Sequence, residues 1–116
     1  MRRILIIEKE RIAGYDLKRS LERKGYEVDQ PKTLFAAKSS MLNAPPDVII
    51  SDNTILNGKL LALITTHLKT SQPSIIYLGT KRNLETTNEN NSTFIKSFSK
   101  PYQSGEIVDF LERHFR

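Results

Sequence analysis

The chain has 116 residues, enough for one domain with a genuine core, and its lack of cysteine excludes disulfides, thiol chemistry and cysteine-based metal sites. A net charge of +5 admits a nucleic-acid or acidic-membrane partner, but the lysines and arginines are scattered without aromatics between them, which reads as a solvated basic face.

The apolar run Ile4–Ile7 stops at Glu8, too short for a signal peptide but suited to a buried strand. No stretch approaches a membrane span, so a cytoplasmic protein is expected. A helix is predicted from Ile12 to Lys24, with Ile12, Leu17 and Leu21 facing inward and Tyr15 beside them, and with Lys18, Arg19, Glu22 and Arg23 facing out. Gly25 ends it, because glycine tolerates the left-handed geometry of a helix stop. Tyr26–Asp29 reads as a second strand, broken by Pro31. Thr33 can cap a helix running to Asn43, with Leu34, Phe35, Ala37, Met41 and Leu42 as its apolar contacts.

Pro45 and Pro46 keep that helix from continuing, and Val48-Ile49-Ile50 follows as a mostly β-branched strand covered on both faces. It delivers Asp52 to its C-terminal tip, where ligand sites of open α/β sheets lie; the competing reading is that Asp52 only starts a turn. A strongly apolar helix is predicted over Leu60–Lys69, a fourth strand over Ser74–Leu78 and a weaker fifth over Phe94–Ser99. Between Thr80 and Thr93 the only large apolar residue is Leu84, so the fourth helix is expected to be short or disordered. The last helix is capped by Ser104, has Glu106 in its first turn, and turns Ile107, Val108, Leu111 and Phe115 inward. The alternation predicts one α/β domain over residues 1–116, a doubly wound five-stranded parallel sheet, whether the chain is complete or the N-terminal part of a longer one.

Ile4-Leu5-Ile6-Ile7-Glu8, Gly25-Tyr26-Glu27-Val28, Pro46 to Asp52, Pro73 to Leu78 and Lys100-Pro101-Tyr102, in this order and spacing, resemble the receiver domain of bacterial response regulators over nearly the whole chain. The resemblance implies a (βα)5 fold with strand order 2-1-3-4-5, and phosphoryl transfer to an aspartate at the end of the third strand with Mg²⁺. Asp52 matches that acceptor, Lys100 matches the site lysine, and the bond to Pro101 is commonly cis in the family. Glu8, Asp52 and Asn53 would supply the metal ligands.

Four departures fall in this constellation. The second acidic position is Lys9, whose ammonium has no lone pair for a metal and adds positive charge where Mg²⁺ would sit; it can instead pair with Asp52 or Glu8. The hydroxyl position on the fourth strand is Gly79, with Thr80 next to it but on the opposite face unless the strand is bulged. The aromatic switch position is Ser97, with Phe98 beside it under the same alternation. The usual proline after the acceptor is Leu56, and the loop glycine comes early, at Gly58.

These departures read as a pseudo-receiver: a signalling interaction module with no Mg²⁺-dependent switch, no cofactor and no enzymatic activity. Asp52 and Lys100 would then persist as an ion pair, with Lys9 filling the metal position. The alternative is a two-component receiver that still accepts a phosphoryl group on Asp52. The implied partner is a protein or a fused output domain, including a histidine kinase, with nucleic acid reached only through an output domain. Candidate contact surfaces are Lys96, Phe98, Tyr102 and Phe110, or the basic stripe of Lys18, Arg19, Arg23 and Lys24. Glu8-Lys9-Glu10-Arg11-Ile12 stands where a glycine-rich phosphate loop would be, against an unrelated flavodoxin-like binder, and His67 and His114 lie in predicted helices with no evident nucleophile.

Overall fold

The computed structural model describes residues 2–52, 73–79 and 94–115. Within them the elements run β1 (Arg3–Ile7), α1 (Arg11–Glu22), β2 (Glu27–Asp29), α2 (Leu34–Asn43), β3 (Val48–Asp52), β4 (Ser74–Leu78), β5 (Phe94–Phe98) and a C-terminal helix, Ser104–Phe115. The helix expected at Leu60–Lys69, the segment from Thr80 to Thr93, and Asn53, Leu56, Gly58 and His67 lie outside the described residues.

All strand pairings are parallel, and the sheet order is β2-β1-β3-β4-β5, as predicted. The β-branched runs account for the centre of this order. Every residue of β3 is buried, as are all but the first residues of β1 and β4. Ile4, Ile6, Val48, Ile50, Ile76 and Leu78 meet Leu17 and Leu21 of α1 and Ile107, Val108, Phe110 and Leu111 of the C-terminal helix. Leu5, Ile49, Ile75 and Tyr77, at the alternate positions, are buried as well, so the sheet is covered on both faces. Each aliphatic side chain so buried contributes about 1.5–3 kcal/mol of transfer free energy.

The helix stops follow local chemistry. Gly25 adopts φ +96°, and the Gly25 and Tyr26 amides donate to the carbonyls of Glu22 and Leu21, closing the end of α1. Thr33 Oγ1 accepts from the Ala36 amide at 3.0 Å, the expected cap of α2. Ser104 is different: it is the first residue of its helix, and its hydroxyl donates to Asp16 Oδ2 of α1 at 2.7 Å. The Gln103 amide donates instead to Glu106 Oε1 at 3.4 Å, so Glu106 reaches back to close this end.

The helix faces need correction in two places. Ile12 is 88% exposed and Tyr15 54%, so Leu17, Leu21 and Gly14 alone form the buried face of α1. On α2, Ala37 and Met41 are buried while Phe35 and Leu42 are exposed. In both helices the apolar residues outnumber the width of the stripe that the sheet can cover.

Beneath the sheet, at the N-terminal end of β1, Arg3 joins four segments. It donates to Ala44 O at 2.9 Å, to Ser40 Oγ at 3.1 Å and to Glu27 Oε1 at 3.3 Å, and its amide donates to Asp47 Oδ2 at 2.8 Å. This fan of donors suits a planar guanidinium and holds the strand starts in register, away from the carboxyl edge.

Candidate functional site

The carboxyl edge of the sheet gathers the charged residues. Ile7 is in register with Ser51, so Glu8, the next residue, stands beside Asp52 at the tip of β3. Asp52 is in register with Leu78, and Leu78 with Phe98, which brings the residues after β5 to the same edge. There a cis peptide bond joins Lys100 to Pro101, the isomer that the resemblance implies.

Lys100 reaches both carboxylates. Its ammonium donates to Glu8 Oε1 at 2.9 Å and also to Asp52 Oδ2. The Glu8 side chain is fully buried and that of Asp52 nearly so. Burial works against the Lys100 charge, but the hydrogen bonds to Asp52 and Glu8 and their negative charges outweigh it, holding its pKa above the ordinary 10.5.

Tyr102 completes the cluster. Its hydroxyl donates to Glu8 Oε2 at 2.8 Å, while the Glu10 amide donates to Oε1 at 3.1 Å. Burial pushes the Tyr102 phenol well above its ordinary range, reinforced by the hydrogen bond to Glu8 and the charges of Glu8, Glu10 and Asp52. Both oxygens of Glu8 are therefore engaged by the protein itself. The sequence reading placed Tyr102 on a contact surface instead; its signal was the run Lys100-Pro101-Tyr102, which puts a phenol two residues from the site lysine.

Lys9 does not fill a metal position. It is exposed, and among the described residues it pairs with neither Glu8 nor Asp52. It follows a buried residue where the chain leaves β1, so its side chain turns to solvent and Lys100 takes the role foreseen for it.

Among the described residues, the donor set is committed within the protein and does not fit Mg²⁺. A hard cation of this size needs oxygen ligands in near-octahedral array. Glu8 has both oxygens committed to Lys100, Tyr102 and Glu10, Asp52 already accepts from the Lys100 ammonium, and Lys9 offers no lone pair. Among the described residues, no three or more carboxylate, histidine or cysteine side chains gather where an ion could be held. Asn53, the third expected ligand, lies outside the described residues.

The switch positions carry their own constraints. Gly79 sits at φ +146°, a conformation that side-chain-bearing residues rarely adopt, and its amide donates to Phe98 O at 2.9 Å. Its missing hydroxyl is thus coupled to a backbone that favours glycine. A register shift between Ile75 and Ile76 leaves Ile95 as the extra residue of β5, after which Lys96, Ser97 and Phe98 pair with Ile76, Tyr77 and Leu78. Phe98 consequently packs against the core with Leu78 and meets Phe110 edge-on at 6.0 Å, whereas Ser97 is partnered with Tyr77.

The first candidate contact surface is turned inward only in part. Phe110 is buried, Phe98 and Tyr102 are partly buried against the core, and only Lys96 is exposed, lying over the Phe98 and Phe110 rings at 5.8 and 5.9 Å. His114 stacks on Phe110 at 4.1 Å, a packing role. Of the basic stripe, Arg19 on α1 and Arg23 and Lys24 just past its end are exposed.

No family model matches the chain, and no curated protein matches it. Solved structures do. The signal receiver domain of a response regulator from Bermanella marisrubri aligns with a TM-score of 0.82 over 98% of both chains at 16% identity. The inactive form of the regulatory domain of a repressor of iron transport aligns at 0.79 over 100% of this chain and 96% of its own, at 22% identity. The receiver domain of a sensor histidine kinase from Pseudomonas aeruginosa, with magnesium coordinated in its active-site cleft, aligns at 0.75 over 97% and 95%, at 19% identity. The chain has the receiver fold.

Proposed function

We propose that this chain is a receiver domain of the response-regulator family that acts as a protein-interaction module in signalling, without a Mg²⁺-dependent phosphorylation switch and without enzymatic activity of its own. One observation carries the reading: both oxygens of Glu8 are engaged within the protein, by Lys100 and Glu10 on one side and Tyr102 on the other. A metal would have to displace these contacts from a buried carboxylate while Lys9 adds positive charge at the rim. Its output then comes from docking on a protein partner or a fused output domain. A histidine kinase is one such partner, and nucleic acid would be reached only through an output domain.

The second reading keeps Asp52 as a phosphoryl acceptor. What favours it is the position of Asp52 at the strand tip with the Lys100 ammonium on its carboxylate. An amide NMR titration separates the two. Mg²⁺ followed by beryllium fluoride, a phosphoryl mimic, is expected to leave the spectrum unchanged. Saturable shifts centred on Glu8, Asp52, Asn53 and Lys100 would establish the acceptor reading instead.

A further inference from the structure

We infer that the groove between the start of α1 and the β2–α2 connection is a docking site for an acidic, apolar-bearing segment of a partner protein; this rests on the reading of the domain as an interaction module. The groove has a volume of about 540 Å³. Four cations line it: Lys9, Arg11, Lys18 and Lys32. None of them makes an ion pair among the described residues, whereas Arg3 answers Glu27 and Asp29, and Lys100 answers Glu8 and Asp52. The one acidic lining residue, Glu8, has its carboxylate turned over to Lys100 and Tyr102 and offsets little of this charge. The groove therefore presents uncompensated positive charge to whatever enters it.

Its walls are also apolar where solvent would favour polar groups. Ile12, at 88% exposure, and Tyr15, at 54%, both line it, and the Arg19 guanidinium lies over the Tyr15 ring at 5.9 Å. An occupant that only neutralised charge would leave Ile12 in water. A nucleic acid would use the cations and could stack on Tyr15, but its backbone offers nothing to an isolated aliphatic side chain. Glutamate or aspartate alternating with leucine-like side chains answers both features, with the apolar contacts at the centre and the charges on the rim.

The test uses a fluorescein-labelled peptide of repeated Glu and Leu residues, followed by anisotropy and by amide shifts of the labelled domain in metal-free buffer. Binding is expected, with shifts at Lys9 to Lys18 and Gln30 to Thr33, and with affinity falling as salt rises. Lys9→Glu combined with Lys32→Glu is expected to weaken it by about tenfold or more. Ile12→Ser should weaken it by roughly threefold or more. Arg23→Glu, exposed at the C-cap of α1 and outside the groove, should leave it unchanged. The altered side chains are exposed, so circular dichroism should confirm an intact fold in each variant.

Failure of the peptide to bind, or binding indifferent to both groove variants, overturns the inference. So does equal or tighter binding of a poly-glutamate peptide or a single-stranded oligonucleotide. The separate Mg²⁺ and beryllium fluoride titration tests the interaction-module reading by itself: a silent titration with no peptide binding removes the groove and leaves that reading standing.

Discussion

Tyr102 donates its hydroxyl to Glu8 Oε2 at 2.8 Å across 94 residues of chain, joining the segment after β5 to the end of β1. The bond satisfies a carboxylate oxygen of a side chain that has no exposure to water. Replacing Tyr102 by Phe keeps the ring and removes the donor. We expect Tyr102→Phe to destabilise the domain by about 1–3 kcal/mol, because a buried carboxylate loses a hydrogen bond that water cannot restore. Urea denaturation should show a lower midpoint at unchanged slope.

The Lys100 ammonium contacts both Glu8 and Asp52. Lys100→Met retains most of the side-chain bulk and leaves two carboxylates facing each other. The expected cost is roughly 3 kcal/mol or more, since removing one partner strands the buried charge of the others. Glu8→Gln in the same background should recover part of the loss, and a double-mutant cycle measures the coupling. Strict additivity of the two substitutions would contradict the shared cluster.

Lys9 sets the charge at the rim of the site. Lys9→Asp supplies a third carboxylate beside Glu8 and removes a competing positive charge. Mg²⁺ is expected to leave the amide spectrum of this variant unchanged, as in the native chain, because Lys100, Glu10 and Tyr102 still engage both oxygens of Glu8. Restoring the hydroxyl through Gly79→Thr is expected instead to destabilise the fold by about 1 kcal/mol or more, because φ at that position is +146°. Thermal melts of the two variants side by side would show the contrast.

The alkaline limb of stability follows from the two raised pKa values. Lys100 and Tyr102 hold their protons more tightly in the folded chain than at their ordinary 10.5 and 10.0. The unfolded chain therefore releases these protons first as pH rises, which favours unfolding. Their contribution is fully present below about pH 10 and is lost progressively above it, as pH climbs toward the folded-state values. Tyr102→Phe removes one of the two groups, so its urea midpoint should fall less steeply above about pH 10 than that of the native chain. Parallel curves would show that the phenol is uncoupled from folding.

The faces of α1 separate by substitution. Leu17 is fully buried and Ile12 is 88% exposed on the same helix. Leu17→Ala should cost about 2–5 kcal/mol through lost burial and a residual cavity. Ile12→Ser should change stability by no more than about 0.5 kcal/mol. Chemical denaturation of both variants reads the difference directly.

The strand order and the proximity of Lys100 to Asp52 were legible only through the resemblance to receiver domains, whereas the sequence by itself determined the alternation of strands and helices, a parallel sheet with Asp52 at a strand tip, and the helix ends at Thr33 and Gly25. These follow from local rules: β-branched runs make buried strands, strand tips carry the polar residues, and glycine and threonine mark helix ends. Tertiary structure alone decided that Lys100 takes both carboxylates, that Tyr102 turns inward to Glu8, that Lys9 turns out, and that Ile12 and Phe35 are left exposed. The extra residue in β5 likewise decided that Phe98 faces the core with Leu78. Periodicity states which residues are available to a face, but not how wide the covering layer is. Which partner a buried charge receives depends on strand register and on loop paths nearly the whole chain apart. Desolvation makes that choice exacting, because a carboxylate removed from water must take a donor that the fold brings within reach.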